Sequence, residues 1–428
     1  MREFDPATID IVTPSHYEQH GYPHDEWTWL RRHDPVFWYE RSNVDPFWAI
    51  TKHADVIAIG KQPEKFLNGP RLAVFTHDIP PPEEGQIRHL LNMDPPDHAA
   101  YRKVASGWFT PRAIRGMEAK VARVTREVLD AAAKQDGGDF VRDVSAKITI
   151  AVIAEMLGVP RPDWELLFRW TNEIIAPEDP EFQHGSTAQE TFDRSRMELF
   201  AYFDDLSTRR RAKPEDDIVS VVANGQVRGE PLPPVELLSY YLLLVAAGNE
   251  TTRNAMTGGM LAFLDHPGEW RKLRADAALL ENPGEWRKLR ADGALVESAV
   301  EEIVRWTTPV IQFSRTATED YPLRGKTIRA GQSVCLFYAS GNRDEEVFED
   351  PFVFRIDREP NVHIGFGMGE HVCLGAHLAR LELEQAFAQL RERLEHCESA
   401  GPIARMRSSF VGGIKHAPMR WRIAPARG

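Results

Sequence analysis

The sequence predicts a mainly α-helical chain with a small β region, on three observations. Apolar residues recur at helical spacing through most of the chain after Asp94. One run, bounded by Pro233-Pro234 and by Asp265-His266-Pro267, is long enough for a helix of about 48 Å at the usual rise. The short β-branched and aromatic runs cluster near Val36 to Thr51 and after Val310.

Taken in order, residues 1 to 35 read as an irregular lead-in, rich in proline, histidine and tryptophan. Val36-Phe-Trp-Tyr and Pro46-Phe-Trp-Ala-Ile-Thr predict two strands around a polar turn, and Ala54 to Gln62 a helix. Asn68 to Leu91 shows no period, and its length suits a lid over a site. Asp94-Pro-Pro-Asp-His98 opens a helix running to about Trp108. Pro111 to Lys134, Phe140 to Leu157, Asp163 to Ile175 and Ser186 to Lys213 follow as helices, with a polar break over Ala176 to Gly185. Glu297 to Thr307 and Leu374 to Leu390 are helical by period; Val310 to Thr316, Thr327 to Ile328, Ser333 to Tyr338 and Ser409 to Trp421 supply strands. Residues 267–282 recur as 283–298 with 13 of 16 positions identical. Two copies make no solenoid; the second reads as a local tandem duplication within one domain spanning residues 1–428.

Composition narrows the class. A net charge of −12 argues against nonspecific nucleic-acid binding. Three cysteines, Cys335, Cys373 and Cys397, give no disulfide framework. Met1-Arg-Glu-Phe-Asp-Pro lacks a signal-peptide pattern, and the most apolar run, Leu237 to Ala247, is too short to span a bilayer. A cytoplasmic protein without membrane contact is the expectation.

The densest chemistry lies in Phe366-Gly367-Met368-Gly369-Glu370-His371-Val372-Cys373-Leu374-Gly375-Ala376-His377-Leu378-Ala379-Arg380. Gly367 and Gly369 let the loop curl against a flat ligand. Cys373 precedes a helix, whose free N–H groups and dipole favour a thiolate, as an axial ligand of haem iron requires. A closed zinc site needs four ligands, and no second cysteine stands nearby. In the long helix, Ala247-Gly248-Asn249-Glu250-Thr251-Thr252 puts a glycine, an acid and two threonines into an apolar core segment, a violation expected at functional sites.

These two arrays resemble the haem-binding and oxygen-handling signatures of the cytochrome P-450 family, and the resemblance extends over about residues 35 to 425. It implies a haem-thiolate monooxygenase with haem b between the long helix and the helix after Cys373. Cys373 is then the iron ligand, with Phe366, Gly367, Gly375, Ala247 and Gly248 against the haem. Arg315, His371, His98 and Arg102 match the family's propionate partners. Thr251 and Glu250 match its proton-delivery pair, with Gly248 letting the helix open. Glu302 and Arg305, with Arg358, match a structural triad holding the cysteine loop. The resemblance places the pocket at Val245, Ala246, Val310, Ile311, Phe313, Phe410 and Val411, any of which is equally plain core. It implies a small apolar substrate with O₂, best a sterol side chain, alternatively a monoterpene, an alkane or a fatty acid. Electrons would come from a ferredoxin with its reductase, received near Arg112 and Arg115. A peroxide-driven enzyme, a haem-based ligand sensor and a cysteine hydrolase are the remaining readings. The first two leave the Glu250–Thr251 pair without a purpose, and the third requires an oriented histidine base.

Overall fold

The computed structural model describes residues 3–77, 87–278 and 294–426. Aromatic and β-branched side chains in Val36–Arg41 and Val44–Ile50 form an antiparallel hairpin, with Trp38 opposite Trp48. Val44–Ile50 then pairs in parallel with Ser333–Phe337, Phe47 lying opposite Ser333. Gln312–Ala317 joins the other side of that strand, and Phe66–Leu67 closes the edge. A smaller sheet places Leu394–Ser399 beside Pro418–Ile423 and Gly138–Asp139.

Helices make up the bulk. The long one runs Pro234–Asp265, starting on a proline at its first turn and stopping before His266-Pro267. Its first half, Leu237 to Ala246, packs into an apolar core with helices Ala146–Leu157, Trp164–Ile175 and Ala188–Ala212. Its second half, Ala255 to Phe263, packs into another core with helix Ala294–Thr307 and helix Ala376–Arg393. Residues 247 to 254 belong to neither. Burying two apolar faces of one rod in separate cores fixes the position of the segment between them.

The lead-in is not irregular. Pro14–His20 and His24–His33 are helices, separated at Gly21 with a φ of 78°. Each is too short to show a sustained period, and they are held by burial of Tyr17, Trp27 and Leu30. The Pro111 to Lys134 run is two helices, Pro111–Arg115 and Glu118–Ala132, and a short helix Ile218–Ala223 escaped the sequence reading. Within the expected lid, Leu72 and Val74 are tied to the main sheet: Ser314 N donates to Leu72 O (2.8 Å), and Gln312 bonds both backbone groups of Val74. Residues 78–86 of that reading, and most of the second repeat copy, lie outside the described residues. The first copy opens with helix Pro267–Ala278. All three cysteines are free thiols. Among the described residues no helix is long and apolar enough to cross a membrane.

Candidate active site

The cysteine loop takes its shape from two glycines with φ of 70° (Gly367) and 67° (Gly369). A Cβ on Gly369 would fall 2.5 Å from Gly60 O, so the loop can lie against helix His53–Gly60 only with glycine there. Cys373 N donates to Phe366 O (2.8 Å), closing the turn. Helix Ala376–Arg393 starts three residues later. Two cations brace this loop. Arg102 donates to Val372 O (2.7 Å). Arg380 covers the Phe366 ring at 4.4 Å and pairs with Glu301, which also meets His363 at 2.9 Å. Glu301 is held at about 2, since the bonds from Arg380 and His363 outweigh burial.

The Cys373 thiol has accessible surface, yet protein rings it closely enough that burial pushes it above its usual range. The Gly375 N–H, Arg102 and Arg380 pull the other way. Burial outweighs them, so helix position alone does not set this group. The dipole acts within one turn, and Cys373 sits ahead of the first turn.

Four basic side chains converge beside this loop. His98 and His371 rings are 3.9 Å apart, and Arg315 and Arg102 both act electrostatically on His371. Burial lowers His98 to about 4 and, with its cationic neighbours, His371 to about 2, so both imidazoles are neutral. Asn68 and His371 are in contact through their side-chain nitrogens, and Glu370 lies 3.5 Å from each histidine. Both His98 ring nitrogens are buried without a hydrogen-bond partner. A buried, orphaned imidazole amid two arginines fits a ligand bearing carboxylates. These residues fit haem.

On the long helix, Ala247 is exposed and Gly248 and Thr251 half-exposed, in the middle of an otherwise buried rod. The helix does not open at Gly248; it is continuous from Pro234 to Asp265. Gly248 is instead a packing residue, for a Cβ there would come 2.8 Å from Ile153 Cδ1. Thr251 Oγ1 donates to Ala247 O at 3.0 Å, its oxygen remaining an acceptor on the open face. Glu250 has no exposed surface, so it does not meet solvent directly. It is ion-paired with Arg253, a partner sequence reasoning missed.

Of the pocket candidates, Val310, Phe313 and Phe410 are half-buried and connected. Val310 bridges Val411, and the Phe313 and Phe410 rings meet edge-on at 5.5 Å. The exposed Phe75 extends this row at 5.7 Å from Phe410. Ala246 and Val411 retain slight exposure. Val245 and Ile311 have none and so line no cavity. Val245 precedes Ala247 by two residues, about 200° around the helix, and faces the first core. Ile311 packs with Phe47 and Phe337 under the sheet.

Glu302, Arg305 and Arg358 are all buried and joined: Glu302 accepts from Arg305 Nε (2.7 Å) and Nη2 (2.8 Å) and from Arg358 Nε (3.1 Å). Arg112 and Arg115 are exposed on their short helix.

The family model described as Cytochrome P450 matches residues 13–402. The chain belongs to that family. As a cytochrome P450 it is a monooxygenase that works with a haem iron, O₂, a substrate and a redox partner. It is 38% identical to a steroid C26-monooxygenase of Mycolicibacterium smegmatis, over 92% of this chain and 89% of the relative. It is 33% identical to cytochrome P450-terp of a Pseudomonas species, over 96% of each. A Mycobacterium marinum cytochrome P450 solved with pseudoionone superimposes with a TM-score of 0.86 at 32% identity, over 98% of this chain and 99% of that one.

Proposed function

We propose that this cytochrome P450 hydroxylates an unactivated C–H bond at the side-chain end of a sterol-like substrate. The 38% identity to a relative named steroid C26-monooxygenase carries the reading. The row Phe75, Phe410, Phe313 supports it, as an apolar wall suited to a long flat molecule held by burial. Cytochrome P450-terp, a relative of similar coverage, supports the second reading, a terpene.

Haem b, when bound, would supply the activation of O₂, with a thiolate as its electron-donating ligand. Cys373 would hold the iron; Arg315, Arg102, His98 and His371 would hold the carboxylates. Thr251 and Glu250 deliver protons, Thr251 through the acceptor oxygen on its open face. Glu302, Arg305 and Arg358 hold the cysteine loop's surroundings as a structural triad. Arg112 and Arg115 receive an acidic ferredoxin, itself reduced by its reductase.

Cholesterol, added to the purified holoenzyme, should shift the haem spin state. With a surrogate ferredoxin system it should gain one oxygen on the side chain, located by mass-spectral fragmentation. Oxygen on the ring system, or a shift only with monoterpenes, would sink the sterol reading. In Thr251→Ala, haem content and cholesterol binding should persist while product per NADH falls ~10-fold and peroxide rises. Full coupling in that variant removes Thr251 from the relay.

A further inference from the structure

Glu250 is held from one side only. Its Oε1 takes Arg253 Nη2 and, at 2.9 Å, Asn254 Nδ2, both from its own helix. Oε2 is buried and has no partner. Each of the two clamping residues is in turn clamped by a different element. Arg253 Nη1 donates to Asn172 Oδ1 at 3.0 Å, and its guanidinium lies 5.6 Å from the Phe168 ring, both on helix Trp164–Ile175. Arg253 Nη2 also approaches Met406 Sδ at 3.8 Å, and Asn254 Oδ1 accepts from Ile414 N at 3.1 Å. Met406 and Ile414 bracket the turn that carries Phe410 and Val411, candidate walls of the pocket.

We propose that Arg253 is a positioning residue for the known reaction: it fixes Oε1 of Glu250, leaves Oε2 as the oxygen that exchanges protons, and ties this setting to helix Trp164–Ile175 and to the turn that carries Phe410 and Val411. The inference rests on the reading of Glu250 as a proton-delivery group. Proton delivery needs the donor within hydrogen-bond reach, and a carboxylate free to rotate loses that geometry. A buried carboxylate with one oxygen held and one free has a single way to act. A proton that reaches Glu250 is taken up and passed on at Oε2, the oxygen left without a partner, while Arg253 keeps its own throughout. Because Asn172 and Met406 hold Arg253, a substrate pressing on the turn that carries Phe410 moves the arginine, and with it the acid. Proton flow is thereby matched to occupancy, which limits loss of reducing equivalents as peroxide when the pocket is empty. The charged and titratable groups that the described contacts bring to Glu250 reduce to Arg253; Asn254, Asn172, Phe168, Met406 and Ile414 complete the shell.

The test uses the holoenzyme with cholesterol as probe and a surrogate ferredoxin system. Arg253→Gln should keep haem content and keep the cholesterol Kd, read from the spin-state shift, within ~3-fold. Product per NADH should fall ~10-fold, with a larger solvent-deuterium effect on turnover. Arg253→Lys, which restores the cation, should recover coupling in part. Glu250→Gln/Arg253→Gln should couple no worse than Glu250→Gln alone, since both act through one group. Normal coupling in Arg253→Gln, or additive losses in the double variant, overturns the proposal. If Arg253→Gln fails to take up haem, Asn172→Ala, which leaves the ion pair intact, decides: its coupling should fall as well, and normal coupling there overturns the proposal. Full coupling in Glu250→Gln would instead sink the reading of Glu250 itself.

Discussion

Cys373→Ser should yield a protein whose reduced carbon monoxide complex lacks the red-shifted Soret band of thiolate-ligated haem. Serine is nearly isosteric, so the Phe366–Cys373 turn and the Gly369 contact with Gly60 should persist. Arg102, Arg315, His98 and His371 should still retain some haem by its carboxylates. What disappears is the electron donation that O–O cleavage requires, so turnover with a ferredoxin system should fall below detection. Cys397→Ser, at a half-buried strand position, is the control and should leave the band in place. An unchanged band in Cys373→Ser would remove the central assignment.

The second large effect is expected at Glu302→Ala. That carboxylate has no exposed surface and accepts from five donors: two nitrogens of Arg305, Arg358 Nε, the Arg355 backbone N–H (2.8 Å) and Asn361 Nδ2 (3.2 Å). Its removal strands two buried guanidiniums. Breaking a buried pair from one side costs about 3–5 kcal/mol, a large part of the roughly 5–15 kcal/mol by which most domains are stable. Arg305 also holds Asn342 O and Pro351 O, and Arg358 holds Glu349 O and Val353 O, so the loss spreads along the segment leading to the cysteine loop. The variant should melt at lower temperature and purify with far less haem per protein. A wild-type melting temperature would refute the structural role.

What the sequence made legible was what local chemistry announces. Pro233-Pro234 and Asp265-His266-Pro267 bracketed the long helix because proline restricts backbone on either side of itself. The glycine-rich array around Cys373 is dense enough to be read without contacts. Three other features were hidden for physical reasons. Pro14–His20 and His24–His33 are too short for their spacing to rise above noise. Val245 and Ala247 sit in the same apolar run, and only packing distinguishes the face that turns inward from the one left open. Arg253 carries no signal of its own, because its meaning comes from Asn172 and Met406, remote in sequence. Arg380 was visible within the motif, but its hold on Glu301 and its cover of Phe366 were not.

The parallel pairing of Val44–Ile50 with Ser333–Phe337 has a consequence for biosynthesis. The N-terminal hairpin leaves the ribosome early, but the strand that covers its inner edge is made only after most of the chain. At roughly 5–20 residues per second that edge stays unpaired for tens of seconds, with Phe47, Ala49 and Ile50 not yet buried. An uncovered apolar edge is a template for strand addition from another chain. The nascent protein therefore exposes this edge before the cysteine loop exists, and covering it is a task for chaperones that precedes haem uptake.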